Sequence, residues 1–257
     1  MTTIRGLLVD LDGTVYEGKR PVPGAAEAIA WFRESGVPFL FTTNTSRMSR
    51  ADVVGSLARI GLATSEEEIL TAPVAAAAWL RSEGLRRLHP LLAGSTHADF
   101  DGFELTESEA EAVLVGDLGA GFTFSRLNAA FRSLQAGARL VAIHRNRYWV
   151  PEEGPTLDAG PFVAALEYAA DVRATLVGKP SPEFFRMAAR RLELPVESLA
   201  VVGDDPESDI RGGRGAGVTT IQVRTGKFDP DRLARAPQEE RPHHVVDSLA
   251  DVPALLG

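Results

Sequence analysis

The sequence predicts an α/β protein: a parallel sheet covered by helices on both faces, with a second α/β domain inserted into it. Three observations predict this. Short apolar runs alternate with amphipathic stretches, the pattern of βαβ units. The runs are nearly continuous in Val, Leu and Ile, as strands buried on both faces require. Several end abruptly in Asp, Thr-Asn, Lys or paired Asp, and an open α/β sheet binds its ligands beyond the carboxyl ends of its strands.

The elements follow in order. Leu7-Leu8-Val9 is the first strand and breaks at Asp10. Pro21 and Pro23-Gly24 mark a loop. A helix then carries Ala25, Ala28, Ile29 and Phe32 on one face and stops at Gly36. Val37 to Phe41 is the second strand, ending in Thr42-Thr43-Asn44. The next helix carries Val53, Val54, Leu57 and Ile60. In the middle, Ala112 to Val115 and Leu140 to Ile143 read as strands and Leu127 to Leu134 as a helix. Gly160-Pro161 opens a helix with Phe162, Ala165, Leu166 and Ala169 on one stripe. Ala174 to Val177 is expected as the third core strand, ending at Gly178-Lys179-Pro180. Ser181-Pro182 starts a helix, with a capping hydroxyl and proline at the first position. Leu199 to Val202 ends in Gly203-Asp204-Asp205, and Val218 to Val223 follows. Residues 1–80 and 175–257 are therefore expected to form the core, and 81–174 an insert of roughly ninety residues.

Composition narrows the chemistry. Of 257 residues, 35 are Asp or Glu and 27 are Lys or Arg, a net charge of -8. No cysteine is present, which excludes disulfides, thiolate metal sites and cysteine nucleophiles. The acidic balance argues against nucleic acid as a partner. Met1 to Arg5 shows no export pattern, and no apolar run reaches membrane length. A cytoplasmic protein without a membrane partner is expected.

The strand ends supply a coherent set of side chains. Asp10 is a carboxylate ionised at neutral pH, able to attack phosphorus and form an aspartyl-phosphate. Asp12, two residues on, can protonate the leaving oxygen and then accept a proton from water. Gly13 and Thr14 let the backbone turn sharply beside a phosphate. Thr43 can bond a phosphoryl oxygen, helped by backbone N–H groups at the following helix start. Lys179 offers positive charge, and Asp204 a carboxylate opposite Asp10. Clustered carboxylates with a phosphate call for a hard dication, and oxygen-only ligands indicate Mg²⁺. Any one of these residues alone is more often a turn former or helix cap.

Asp-Leu-Asp-Gly-Thr at 10–14, Thr-Asn at 43–44, Gly-Lys-Pro at 178–180 and Gly-Asp-Asp-Pro-Glu-Ser-Asp at 203–209 resemble the four motifs of the haloacid dehalogenase superfamily. Its core is Rossmann-like, and the long insert before Lys179 is similar to a class II cap. Asp-Gly-Thr-Val-Tyr-Glu-Gly at 12–18, Pro-Val-Pro-Gly-Ala at 21–25 and Thr-Gly-Lys at 225–227 are similar to class IIA, the 4-nitrophenylphosphatase and phosphoglycolate phosphatase type. Gly160 to Phe162, Ala165 to Ala169, Gly178 to Phe185 and Gln222 to Phe228 resemble the branch of phospholysine phosphohistidine inorganic pyrophosphate phosphatases.

The resemblance implies a Mg²⁺-dependent phosphatase of small phosphorylated metabolites, with pyrophosphate and P–N bonds as further substrates. Asp10 matches the nucleophile and a metal ligand. Asp12 matches the acid/base, its main-chain oxygen ligating the metal. Thr43, Asn44 and Gly13 match phosphate and substrate contacts, and Lys179 the third motif. Asp204 matches a direct metal ligand. Asp209 matches a second acidic position that holds metal-bound water or orients Lys179, and Asp205 ranks below both. Asp12 also separates this chain from the dehalogenases, which lack an aspartate there. A homodimer through the cap is implied as well.

Core motifs recognise phosphate and metal, so the insert must supply substrate contacts. His144 to Tyr148 and Asp158-Ala159-Gly160 are candidates, and Arg145 or Arg147 can fork onto an anionic group. The bland alternative is a solvated loop. His243-His244 reads as surface or strand edge, and Gln238 to Pro242 as an exposed linker. Thr225 to Lys227 has no residue-level mechanism at this stage. Two other functions share these motifs: a phosphometabolite-binding protein with vestigial catalysis, and a phosphotransferase that excludes water.

Overall fold

The computed structural model describes residues 3–149 and 154–256; Met1 and Thr2 of the N-terminal stretch read above lie outside them. The chain forms two compact units. One comprises Met1–Thr43, Val54–Leu70 and Lys179–Gly257, the other Asn44–Val53 and Thr71–Gly178.

In the first unit, β1 (Gly6–Asp10) is wholly buried. A tight turn leads to a small antiparallel hairpin of β2 (Tyr16–Glu17) and β3 (Arg20–Pro21). Helix α1 (Ala25–Glu34) buries Ala25, Ala28, Ile29 and Phe32, the stripe read from the sequence. Strand β4 spans Phe39–Thr43 rather than 37–41. Val37 N–H bonds back to Phe32 and closes the helix end. The strand starts only after Pro38, then runs on through two β-branched threonines in register with Asp10. Helix α2 (Arg50–Arg59) and the short strand β5 (Ile69–Thr71) follow.

The second unit begins its main run with α3 (Ala72–Ser82), capped by the Thr71 hydroxyl with Pro73 in its first turn. Strands β6 (Arg87–Leu91), β7 (Glu104–Leu105), β8 (Ala112–Val115) and β9 (Arg139–Ala142) come next, with α4 (Phe124–Gln135) before β9. A hairpin of β10 (Tyr148–Trp149) and β11 (Thr156–Leu157) precedes α5 (Ala159–Ala170), and β12 (Thr175–Leu176) completes an all-parallel sheet of order β12-β9-β8-β6-β7. Leu91, Val113, Val115, Ala130, Leu134, Val163 and Leu166 join this sheet to α4 and α5 in one core.

The chain then returns to the first unit through α6 (Pro182–Leu192), β13 (Leu199–Gly203), a π-helical segment at Pro206–Arg211, α7 (Gly212–Ala216), β14 (Thr219–Val223), α8 (Pro230–Arg235) and β15 (His244–Val246). The parallel sheet of this unit has the order β15-β14-β13-β1-β4-β5.

Two expectations need correction. The stretch 174–177 is not a core strand. Thr175 and Leu176 pair with Val141 and Ala142, and Ala174 and Leu176 pack into the second unit's core. The outer core strands are instead β5 and β15, whose three residues each give too little periodicity to read. The units also divide the chain at 43/44, 53/54, 70/71 and 178/179 rather than at 80/81 and 174/175; α3 belongs with the second unit because it packs against that unit's 3₁₀ segment Gly94–Phe100.

Candidate active site

Strands β13, β1 and β4 are adjacent and parallel. Their carboxyl ends therefore lie at one edge of the sheet, which brings together Asp204 just after β13, Asp10 closing β1 and Thr43 closing β4. Asp10, Thr43 and Asp204 are buried, with Asp209 beside them fully enclosed. Gly203 makes the last placement possible. A Cβ there would stand 2.4 Å from Asp209 Cγ, so only glycine lets the π-helical segment fold its aspartate back onto the strand end.

Lys179 stands at the centre, 2% exposed. Its ammonium donates to Asp10 Oδ1 at 2.5 Å and to Asp209 Oδ1 at 2.6 Å. Burial alone would lower its pKa, but the two carboxylates outweigh that and hold it above the usual lysine range. Asp10 is raised from its ordinary value by burial, against the pull of Lys179. Asp204 is pushed up to about 8 by burial and then by the charges of Asp10 and Asp209. Asp209 reaches about 7, again first through burial, with Lys179 opposing.

One oxygen each of Asp10, Asp204 and Asp209 lies within 4.8 Å of the others. That is a set of hard oxygen donors with more negative charge than Lys179 can balance, and it fits a hard divalent cation. The raised carboxyls are the electrostatic mark of this excess. Among the described residues no other group of acids or histidines clusters this way.

The turn after β1 carries Asp12. Leu11 carbonyl accepts from the N–H groups of Thr14, Val15 and Tyr16, and Gly13 N–H bonds Tyr16 carbonyl. Gly13 has φ of 85°, a left-handed turn that favours glycine. Asp12 itself reaches solvent. Its protein surroundings still desolvate it enough to raise its pKa, with Glu17 adding repulsion and Lys227 opposing. Thr14 Oγ1 stands 3.5 Å from Asp10 Oδ2.

Asp205 differs from its neighbours. Burial would raise it, but Lys227 and the N–H groups of Glu207 and Ser208 together hold it below the usual carboxylate range.

In the second unit, Asn44 Oδ1 would lie 2.9 Å from a Cβ on Gly178, so its side chain rests against that backbone. Arg145 makes a two-pronged pair with Glu167, at 3.1 and 2.7 Å. Glu167 is buried and also accepts Ala174 N–H at 2.9 Å. The guanidinium expected to meet substrate thus neutralises a buried acid. His144 Nε2 lies 2.8 Å from Ser46 Oγ and 3.7 Å from Asp158 Oδ1, all three buried. Asp158 also caps α5. Arg147 and Tyr148 are exposed. His243 bonds Thr220 and Arg214, as an edge residue would.

Two residues to which the sequence assigns no role lie beside the cluster, and one of them bonds it. Lys227 N–H donates to Asp204 Oδ2 at 2.7 Å, and Gly226 N–H to Glu17 Oε1 at 2.7 Å. The only sequence signal for them is the Thr-Gly-Lys triplet.

With fold and site in place, the chain belongs to the haloacid dehalogenase-like hydrolases. A family model of that description matches residues 7–103, and a second HAD-hydrolase-like model matches 176–252. Among individual proteins, the chain is 36% identical to phospholysine phosphohistidine inorganic pyrophosphate phosphatase of Bos taurus over 98% of its length and 94% of that protein. It is 39% identical to haloacid dehalogenase-like hydrolase domain-containing protein 2 of Bos taurus, covering 96% and 97%. Its fold matches 4-nitrophenylphosphatase of Thermotoga maritima with a TM-score of 0.92 at 28% identity, covering 99% and 98%. These are class IIA relatives, in agreement with the resemblance read from the motifs.

Proposed function

We propose that the protein is a Mg²⁺-dependent phosphatase that hydrolyses a small phosphorylated metabolite through an aspartyl-phosphate on Asp10. The observation that carries this reading is the buried cluster of Asp10, Lys179, Asp204 and Asp209 at the carboxyl edge of the parallel sheet. The names of the relatives support phosphate transfer to water, on monoesters and on pyrophosphate or P–N bonds.

Asp10, Asp204 and Asp209 would hold the cation, with the main-chain oxygen of Asp12. When bound, it supplies positive charge to the transferring phosphoryl group. The remaining steps belong to the chain. Lys179 offsets part of the burial that raises Asp10 and fixes the carboxylate's direction. An Asp10 oxygen attacks phosphorus in line, and the bond to the leaving oxygen breaks. Asp12 delivers its proton to that oxygen; a raised pKa suits the task, because the group is protonated more of the time near neutrality. The Asp12 carboxylate then takes a proton from water, whose oxygen attacks phosphorus. The Asp10–phosphorus bond breaks, releasing phosphate and restoring both aspartates. Thr43, Gly13 and Asn44 would contact phosphate and substrate. Arg145 drops in rank as a substrate contact because Glu167 already engages both of its prongs.

A homodimer and a cytoplasmic location complete the proposal; among the described residues no helix is long and apolar enough to cross a membrane. Asp10→Asn tests the reading. Hydrolysis of 4-nitrophenyl phosphate with Mg²⁺ should fall by at least about a thousandfold while circular dichroism stays unchanged. Activity within about tenfold of the parent would remove Asp10 as nucleophile.

A further inference from the structure

The loop between β14 and α8 makes four hydrogen bonds at the carboxyl edge of the sheet, one of them to the carboxylate cluster itself. Lys227 N–H donates to Asp204 Oδ2 at 2.7 Å. Thr225 Oγ1 donates to the carbonyl of Gly13. Gly226 N–H donates to Glu17 Oε1 at 2.7 Å, tying the loop to the β2–β3 hairpin. Lys227 Nζ donates to Asp205 Oδ2 at 2.8 Å.

The packing around Asp204 Oδ2 is unusually close. A Cβ on Gly13 would lie 2.1 Å from it, and so would a Cβ on Gly226. A Cβ on Gly226 would also meet Gly13 Cα at 2.7 Å. Both glycines have positive φ, 85° and 60°. Two bare backbones thus wall in this oxygen, and one amide donates to it. With Oδ2 enclosed in this way, Oδ1 would be the oxygen that Asp204 offers beside Asp10 and Asp209.

Asp205 belongs to the same device. Its Oδ2 holds the Lys227 ammonium, and its Oδ1 accepts the N–H groups of Glu207 and Ser208 at 2.8 and 3.2 Å. Those two residues open the segment that carries Asp209. With both oxygens engaged, Asp205 is a strut between the loop and that segment, not a third ligand beside Asp204 and Asp209.

We propose that Thr225-Gly226-Lys227 is a positioning clamp that commits Asp204 Oδ2 to the Lys227 amide and so presents Oδ1 to the divalent cation. The Thr225 hydroxyl sets the clamp against the Gly13 carbonyl, and Asp205 braces it from the other side. A loop that held its carboxylate loosely would let both oxygens rotate, and the cation would have to order them on binding.

The inference rests on the reading of Asp10, Asp204 and Asp209 as a cation site, and the test separates the two. The binding of Mn²⁺ to the full chain is measured by electron paramagnetic resonance, without substrate, for the parent, Thr225→Val, Thr225→Ala, Thr225→Ser and Asp204→Asn. Valine keeps the shape of threonine and loses only its hydroxyl, alanine leaves room where valine strains the loop, and serine restores the hydroxyl. The clamp predicts Mn²⁺ binding weakened about tenfold in the valine and alanine variants, the effect of losing one hydrogen bond to a buried group, and within about threefold of the parent in the serine variant. Valine and alanine variants within about twofold of the parent overturn the clamp, as does a serine variant no better than valine. An Asp204→Asn variant that binds Mn²⁺ like the parent overturns the cation site itself.

Discussion

Replacing Asp204 by Asn in the cation-free protein should stabilise it, and more so as the pH rises. Asp204 has a folded pKa of about 8 against an ordinary value of 3.8, through burial and the nearby charges of Asp10 and Asp209. The folded chain therefore keeps a proton that the unfolded chain releases across this range. Stability linked to the group falls as pH rises from about 4 to about 8. At pH 5 the penalty is roughly 2 kcal/mol, and at pH 8 roughly 5 kcal/mol, so the pH-dependent part is about 3 kcal/mol. Asparagine carries no such penalty and still offers an oxygen to the Lys227 amide. Urea unfolding in chelator at pH 5, 6, 7 and 8 should show the variant gaining on the parent by about 3 kcal/mol over that span. Added Mg²⁺ should stabilise the parent at pH 8 and leave the variant nearly unmoved. Parallel curves for the two proteins, with no gain at high pH, would refute the electrostatic account of the cluster.

Asp12→Asn should permit phosphorylation of Asp10 and slow its hydrolysis; rapid quench should trap phosphoenzyme, and none accumulating would weaken the acid/base assignment. Glu167→Ala should cost about 2 kcal/mol in urea, because it strands the Ala174 amide and the Arg145 guanidinium, while Arg145→Ala should cost about 1 kcal/mol, since Arg145 is partly exposed. Arg145→Ala should leave KM within about threefold of the parent, and a rise beyond about tenfold would return Arg145 to the substrate contacts.

Much of the core was legible because it is local. Strand β1 and helix α1 declare themselves through runs and stripes whose period matches their geometry, and the four motifs each sit within a few residues of chain. Legibility failed where the deciding contact is distant in sequence. Residues 174–177 have the composition of a core strand, but their partners are Val141 and Ala142. Arg145 has the chemistry of an anion ligand, but Glu167 lies 22 residues away and takes it. Thr225 to Lys227 shows as a class IIA triplet without a residue-level mechanism, because its targets are the distant Gly13, Glu17, Asp204 and Asp205.

The sequence by itself determined the class of chemistry. It placed carboxylates, a lysine and threonines directly after apolar runs, and a parallel sheet gathers such positions at one edge whatever the loops do. Tertiary structure alone decided how those groups share charge. Lys179 falls between Asp10 and Asp209, burial and mutual repulsion push the carboxyls of Asp204 and Asp209 well above their ordinary values, and Asp205 is turned away to Lys227. The physical reason is that burial and charge act through distances of a few ångströms, and residues up to 212 positions apart set those distances here.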